Sequence, residues 1–301
     1  MQTGNYPNQL FAKLRLQLPT LAKAEKRAAE YILEHQEDLY RLNLQELAIR
    51  AGCSQAAIIR LCKAIGLDGF KQLKAGLNRQ NRNGNELFPD NGGPADGSGN
   101  ASATAGVLKE VFSYHVRSLQ DTFALYTEEY DKALKAILAA RQLAFFSIGN
   151  ASMPCQYAYM MFRRIGYYCC ADVDPDIQMI DAANLRKGDV AIAVSHTGQT
   201  RHVVAAAEIA HNNGATTICI TKNAKSPLTK ACDIHLFTAT IDSSLNMEFV
   251  ARRIAEYAII EAFYHAVRAA RPGAEERVGK GTSAMRVNKL PGFAKMTGFD
   301  N

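Results

Sequence analysis

Residues 81–103 decide how this chain can fold. The stretch runs Asn81-Arg82-Asn83-Gly84-Asn85, then Pro89, Gly92-Gly93-Pro94 and Gly97-Ser98-Gly99. So much Gly, Asn, Ser and Pro buries too little apolar surface to offset the entropy of ordering. It reads as a flexible linker, so the segments on either side must build separate cores. With 301 residues in all, each is long enough to do so.

Residues 1–80 read as helical. Apolar residues recur at spacings of three and four, as in Leu21, Ala24, Ala28, Tyr31 and Ile32. From about 104 a helical region leads into short apolar runs bounded by turn residues: Leu143–Ile148, Tyr167–Ala171, Val190–Val194, Thr216–Thr221 and Ile234–Phe237. Helical stretches such as Met153–Ile165 and Thr200–Asn213 separate them, and a longer one, Asn246–Ala269, follows. Continuous apolar runs suit strands covered on both faces. Strand–helix repetition implies a doubly wound parallel sheet. The expected architecture is therefore an all-α domain over 1–80, the linker, an α/β domain over 104–270, and a tail, 271–301, expected to lack order.

Charge separates the same segments. Residues 1–80 carry 12 Lys+Arg against 7 Asp+Glu, residues 81–270 carry 17 against 19, and residues 271–301 carry 6 against 3. The excess positive charge lies outside the α/β segment, as in a polyanion-binding module joined to a neutral ligand domain. Seven scattered cysteines form neither a disulfide framework nor a zinc-ligand spacing. No run approaches the roughly 18 apolar residues of a membrane span, and Met1–Leu10 lacks a signal-peptide pattern. A cytoplasmic location is expected.

Within the helical segment, Leu44 to Lys63 reads LQELAIRAGCSQAAIIRLCK. Ala48 falls where two crossing helices approach closely. Gly52 sits in the turn, where a positive φ favours glycine. Ile58 and Leu61 face back onto Leu44 and Leu47. Ser54 is a natural N-cap for a second helix, Gln55–Ile65, which Gly66 ends. This is a helix-turn-helix spacing. Its second helix would enter the major groove of double-stranded DNA with Ser54, Gln55, Ala56, Ile59, Arg60 and Lys63 outward. Gln55 suits an adenine edge, Arg60 a guanine or a phosphate, and Lys63 a phosphate. A helical hairpin serving only packing or protein binding fits the same spacing.

In the α/β segment two loops each follow a strand and open a helix: Ser147-Ile148-Gly149-Asn150-Ala151-Ser152 and Ser195-His196-Thr197-Gly198-Gln199-Thr200. Glycine turns backbone N–H groups toward an anion, hydroxyls add donors, and the helix N-terminus favours negative charge. Neither is a P-loop or a full dinucleotide fingerprint, so a small phosphorylated ligand fits, with Gly149, Ser152, Ser195, Thr197, Gly198 and Thr200 as contacts. Either loop alone is also compatible with an ordinary strand–helix turn. His196 suits acid–base work on a sugar or a plain hydrogen bond. Asp172, Asp174 and Asp176 alternate, but Pro175 and the missing Gly and Glu argue against calcium. Neither a metal nor a cofactor is expected.

These residues resemble the RpiR-type bacterial transcriptional regulators, which join a helix-turn-helix to a sugar isomerase (SIS) domain. The resemblance covers about 10–80 and 105–265. It rests on Glu25-Lys26, Ala29 to Leu33, Glu46-Leu47-Ala48, the Ser54…Arg60 helix, Gly66-Leu67-Asp68-Gly69-Phe70, the two loops, Gly214-Ala215 and Ser226-Pro227-Leu228. Ser147 departs from the family's first loop glycine and Thr197 from its serine. Ala57 stands where Thr or Ser is usual, so the resemblance implies a lost phosphate contact. It also implies ligand-hydroxyl contacts at Gln178 and Glu248. Ser-x-Thr-Gly-x-Thr-Arg and Ser226 to Ala231 look closest to the HexR-like branch, which responds to 2-keto-3-deoxy-6-phosphogluconate. The expected function is a homodimeric or homotetrameric regulator of sugar catabolism, not an enzyme, whose phosphosugar effector alters operator affinity. The rival reading is an SIS-fold sugar-phosphate isomerase with an accessory helical domain.

Overall fold

The computed structural model describes residues 9–35, 39, 42–83, 103–222, 224–239 and 250–285. The first unit is helical: α1 (Gln9–Gln17), α2 (Lys23–Glu34), α3 (Leu44–Arg50), α4 (Gln55–Ala64) and α5 (Phe70–Asn83). Its core gathers Leu14, Ile32, Leu47, Ile58, Leu61 and Leu73, each at most 1% exposed. Helix α3 begins with a capping box: Glu46 N–H donates to Asn43 Oδ1 at 2.9 Å and Asn43 N–H to Glu46 Oε2 at 2.8 Å. The chain then turns at Gly52, whose φ is +61°. Helix α4 starts on the expected cap, with Ala57 N–H donating to Ser54 Oγ at 3.2 Å.

The second unit runs α6 (Ala103–Phe123), α7 (Glu129–Ala139), β1 (Gln142–Phe146), α8 (Ser152–Arg164), β2 (Tyr168–Cys170), α9 (Pro175–Asn184), β3 (Val190–Val194), α10 (Arg201–Asn212), β4 (Thr216–Thr221), α11 (Pro227–Ala231), β5 (Ile234–Phe237), α12 (Val250–Ala270) and α13 (Ala274–Met285). The strands form a parallel sheet of order β2-β1-β3-β4-β5.

Strand alternation sorts side chains by size. Leu143, Phe145, Val190, Ile192, Val194, Ile218 and Ile220 enter one core with α7, α8 and α12. Ala144, Ala191, Ala193 and Cys219 enter the other, where Ala206, Ala207 and Ala210 of α10 meet them. Alanines predominate where α10 meets the sheet, with Phe146 of β1 the large exception, while the opposite core is filled by branched and aromatic side chains.

Two expectations are revised. Among the described residues the linker narrows at both ends, because α5 continues to Asn83 and α6 starts at Ala103; residues 84–102 lie outside the description. In the tail, residues 274–285 form a helix rather than unordered chain. Ala274 is buried, Arg268 donates twice to Glu275 at 2.6 and 2.7 Å, and the Arg271 guanidinium lies 3.6 Å from the centre of the Tyr167 ring. These partners are distant or charged, so an apolar period does not reveal the helix.

Candidate functional site

The structure presents two candidate surfaces. On the helical unit, Ser54, Gln55, Ala56, Arg60 and Lys63 are exposed and Ile59 is half-buried, as the wheel of α4 predicts. Arg60 is not simply a solvated cation. Its Nε donates to Glu25 Oε1 of α2 at 2.8 Å, with the Arg60 side chain 57% exposed and Glu25 only 13%. Glu25 therefore aims the guanidinium and competes with any phosphate or base for it. Ala57 is corrected: it is fully buried, so its missing hydroxyl leaves no gap on the outward face. The sequence also gave no sign of Ile49, which is 71% exposed on α3 beside the turn.

The second surface lies at the carboxyl edge of the sheet. With β2 on one side of β1 and β3 on the other, the chain reverses direction across the sheet between β1 and β3. Open α/β sheets bind ligands in the crevice at that point. The two hydroxyl-rich loops are the ones that follow β1 and β3.

Helix caps distinguish these loops from their neighbours. Asp174 Oδ1 caps α9 by accepting from Asp176 N and Ile177 N at 2.8 and 3.3 Å, and Ser226 Oγ caps α11 by accepting from Thr229 N at 3.2 Å. Helices α8 and α10 have no side-chain cap and no acid in the first turn, and α10 opens on Arg201. No acceptor side chain occupies either start, so the partial positive charge of both is uncompensated, although at α8 the Ser152 N–H already donates to Gly149 O and Pro154 has no N–H to offer. The acidic alternation is thereby explained as well, since Asp174 is a cap and Asp172 Oδ1 accepts from Asp174 N at 2.9 Å within the turn.

The hydroxyls are held in place by partners within their own loops. Ser152 Oγ donates to Gly149 O at 2.6 Å, and Ser195 Oγ lies 2.9 Å from Thr200 Oγ1. Thr197 is exposed and its Oγ1 accepts from Gln199 N at 3.3 Å. Exchanging a neutral partner, worth about 0.5–1.5 kcal/mol, for a phosphate oxygen, worth about 1.5–3, favours the anion by about 1 kcal/mol per hydroxyl. Gly198, at φ +65°, accepts from Leu228 N at 3.0 Å and lies flat against Ser226, so the β4–α11 turn backs the second loop.

Gln178 has a different task from the one expected. It is 2% exposed, and its amide is committed to backbone. Nε2 donates to Ser147 O at 2.8 Å and to Asp172 O at 2.9 Å, while Oε1 accepts from Ser147 N at 3.0 Å. Both donors are spent clamping the first loop to the β2–α9 turn, so Gln178 positions the site and does not line it. Glu248 lies outside the described residues. His196 is buried, and its carbonyl accepts from Lys222 N and Thr221 Oγ1 at 3.0 and 3.1 Å, so its backbone is part of the loop's framework.

Behind the first loop, Arg253 Nη1 donates to the fully buried Glu256 at 2.7 Å. Burial pushes the Glu256 carboxyl up to about 7, with Arg253 pulling the other way. Burial likewise pushes the Cys169 and Cys170 thiols up to about 12, which makes them poor nucleophiles.

The chain matches the family described as helix-turn-helix domain, rpiR family, over residues 8–84, and the SIS domain over residues 136–266. An HTH-type transcriptional regulator of Caldanaerobacter subterraneus subsp. tengcongensis is 32% identical over 260 residues, 85% of this chain and 89% of its own length. The HTH-type transcriptional regulator HexR of Pseudomonas aeruginosa is 28% identical over 228 residues, 75% of this chain and 78% of its own. Among solved structures, the Vibrio vulnificus NanR protein complexed with ManNAc-6P shares the fold, with a TM-score of 0.58 and 20% identity across 93% of this chain and 99% of that one.

Proposed function

Because the chain belongs to the rpiR family of helix-turn-helix transcriptional regulators and carries an SIS domain, we propose that it regulates sugar catabolism by binding an operator through α4 and a phosphosugar through the loops after β1 and β3. One observation carries the effector half. Of the helices that open at the sheet's carboxyl edge, α8 and α10 flank the β1/β3 crevice without a side-chain cap or an acid in the first turn. The phosphate would sit against Gly149, Ser152, Ser195, Thr197, Gly198 and Thr200, with Gln178 holding the first loop.

The operator half rests on the outward face of α4. Gln55 and Arg60 would read base edges and Lys63 a phosphate. A homodimer or homotetramer would place two such helices on the half-sites of a near-palindrome, which suits work in the cytoplasm. Among the described residues no helix is long and apolar enough to cross a membrane. For the effector we propose 2-keto-3-deoxy-6-phosphogluconate. That finer identity rests on the sequences Ser195 to Arg201 and Ser226 to Ala231, not on the overall identity to HexR. The phosphosugar acts only if it distinguishes two arrangements of the protein, and no turnover of it is expected.

Thermal shift against a panel of sugar phosphates and their dephosphorylated parents tests this. A phosphorylated ligand at 100 times its Kd should add about 2.7 kcal/mol of stability, and its parent should add nothing. Equal shifts from parent and phosphate would refute the phosphate cradle, and steady conversion of the ligand would restore the isomerase reading.

A further inference from the structure

Helix α1 has two working faces. Leu10, Phe11 and Leu14 enter the core of the DNA-reading unit. Ala12 and Leu16, on the other side, pack with Ala124, Leu125, Phe237 and Ala239 of the α/β unit in a small separate cluster. Beside them Arg15 Nη1 donates to Asp121 Oδ2 of α6 at 3.3 Å, and the Asp121 side chain is only 4% exposed.

Helix α6 in turn holds the chain that leaves β5. Ala239 N donates to Thr122 Oγ1 at 3.0 Å, and Ser118 Oγ donates to Ala239 O at 3.2 Å. One residue earlier, Thr238 N donates to Thr221 O at 3.0 Å, and Thr221 Oγ1 donates to His196 O at 3.1 Å. His196 lies in the second phosphate loop. An unbroken line of hydrogen bonds and adjacent residues therefore runs from Ser195-His196 through Thr221, Thr238-Ala239 and Asp121-Thr122 to Arg15.

We infer that the Arg15–Asp121 contact between α1 and α6 is the joint through which the effector cleft sets the position of the reading helix. The inference rests on the regulator reading above and adds to it the residues that carry the signal. The apolar part of the joint is small, so the two cores can separate there without either one opening. The charge pair favours two states over a continuum: docked, the buried Asp121 faces Arg15 as well as Arg117 of its own helix, and undocked it loses one of those two cations and is driven toward water, because a buried carboxylate short of compensation is disfavoured. Asp121 and Arg15 are positioning residues and touch neither ligand.

Hydrogen exchange on the full-length protein tests the joint without any ligand, comparing wild type with Asp121→Asn and with Arg15→Gln, whose site is more exposed and tolerant. Both variants should speed exchange about tenfold or more at α1, at Thr238 and Ala239, and at Ser195 and Gly198 together, as expected for one cooperative opening unit, while β1 and β3 keep wild-type rates. Faster exchange confined to α1 and α6 would overturn the inference.

Operator affinity is then measured with and without saturating 2-keto-3-deoxy-6-phosphogluconate, and with glucose 6-phosphate as a second probe. A wild-type effector factor, about 5–150-fold for typical allosteric coupling, should fall toward 1 in Asp121→Asn and largely return in Arg15→Lys with Asp121 intact. An undiminished factor in Asp121→Asn would also overturn it. A wild type that responds to neither probe counts against the effector reading, and the exchange pattern still decides the joint.

Discussion

Gly198→Ala separates two costs that the geometry places on one atom. A Cβ at this position would stand 2.3 Å from Ser226 Oγ and 2.6 Å from Ser226 Cβ, on a backbone at φ +65°. The left-handed conformation costs an alanine about 1–2 kcal/mol. Forcing a methyl into a packed contact adds about 1–3 kcal/mol, and Ser226 cannot simply swing away, since its Oγ caps α11. The expected loss is therefore about 2–5 kcal/mol, and at about 2–4 °C per kcal/mol for a domain of this size Tm should fall by roughly 5–15 °C. Ser226→Gly in the same chain removes the Ser226 clash, leaves a tight 3.1 Å approach to Thr221 Oγ1, and costs only a few tenths of a kcal/mol at the cap. The double variant should thus recover about 1–3 kcal/mol and keep the backbone cost. Thermal unfolding of wild type, both single variants and the double variant closes the cycle. A Gly198→Ala protein that melts within a degree of wild type, or a double variant no better than the single, refutes the packing argument.

Other consequences follow from the two surfaces. Arg60→Ala should weaken operator binding by about 1–3 kcal/mol and relax preference at one base pair, whereas Lys63→Ala should weaken all sequences alike and lower the salt slope by about 1; a mobility shift across salt concentrations distinguishes them, and unchanged binding in Arg60→Ala would remove that residue from the reading face. Ser152→Ala and Ser195→Ala should leave operator affinity in place and raise the effector concentration needed for a response, by about 5–10-fold for a loss of about 1 kcal/mol or slightly more; titrated mobility shifts check this, and a wild-type response would empty the cradle. Glu256 is raised in the folded state from 4.5 to about 7, so its stabilising contribution is full below about pH 4.5 and is lost as pH rises through about 7. Glu256→Gln should flatten that stretch of the stability–pH curve in urea titrations; an unaltered slope would mean the carboxyl is not held neutral.

Much of this organisation is local and was legible in the chain. Largely apolar runs at Val190–Val194, Thr216–Thr221 and Ile234–Phe237 became β3, β4 and β5 with the same bounds, because short, mostly apolar runs without strict alternation suit strands covered on both faces. Ser54, Gly52 and the Ile58/Leu61 pair fixed the helix-turn-helix through cap, turn and helical period, each set by residues within a few positions. The hydroxyl-rich loops were visible for the same reason.

What lay beyond local reach was decided by packing. Glu25 and Arg60 meet across 35 positions, and Gln178 reaches Ser147 across 31. No period links such residues, so Arg60 looked free and Gln178 looked like a ligand contact. Ala57 seemed an outward gap until the fold turned it inward. The helix over 274–285 is tied down by Arg268 at Glu275 and by Arg277 against Gly166 rather than by its own pattern, and the contact of Arg15 with Asp121 joins residues 106 positions apart. The sequence by itself determined two cores, their classes and the two hydroxyl-rich loops after β1 and β3, because hydrophobic period and turn chemistry act over a few residues. Only the tertiary structure decided which polar side chains remain available to a ligand and which already hold the protein together, because a hydrogen-bonding group buried away from water must find its partner wherever the folded chain brings one.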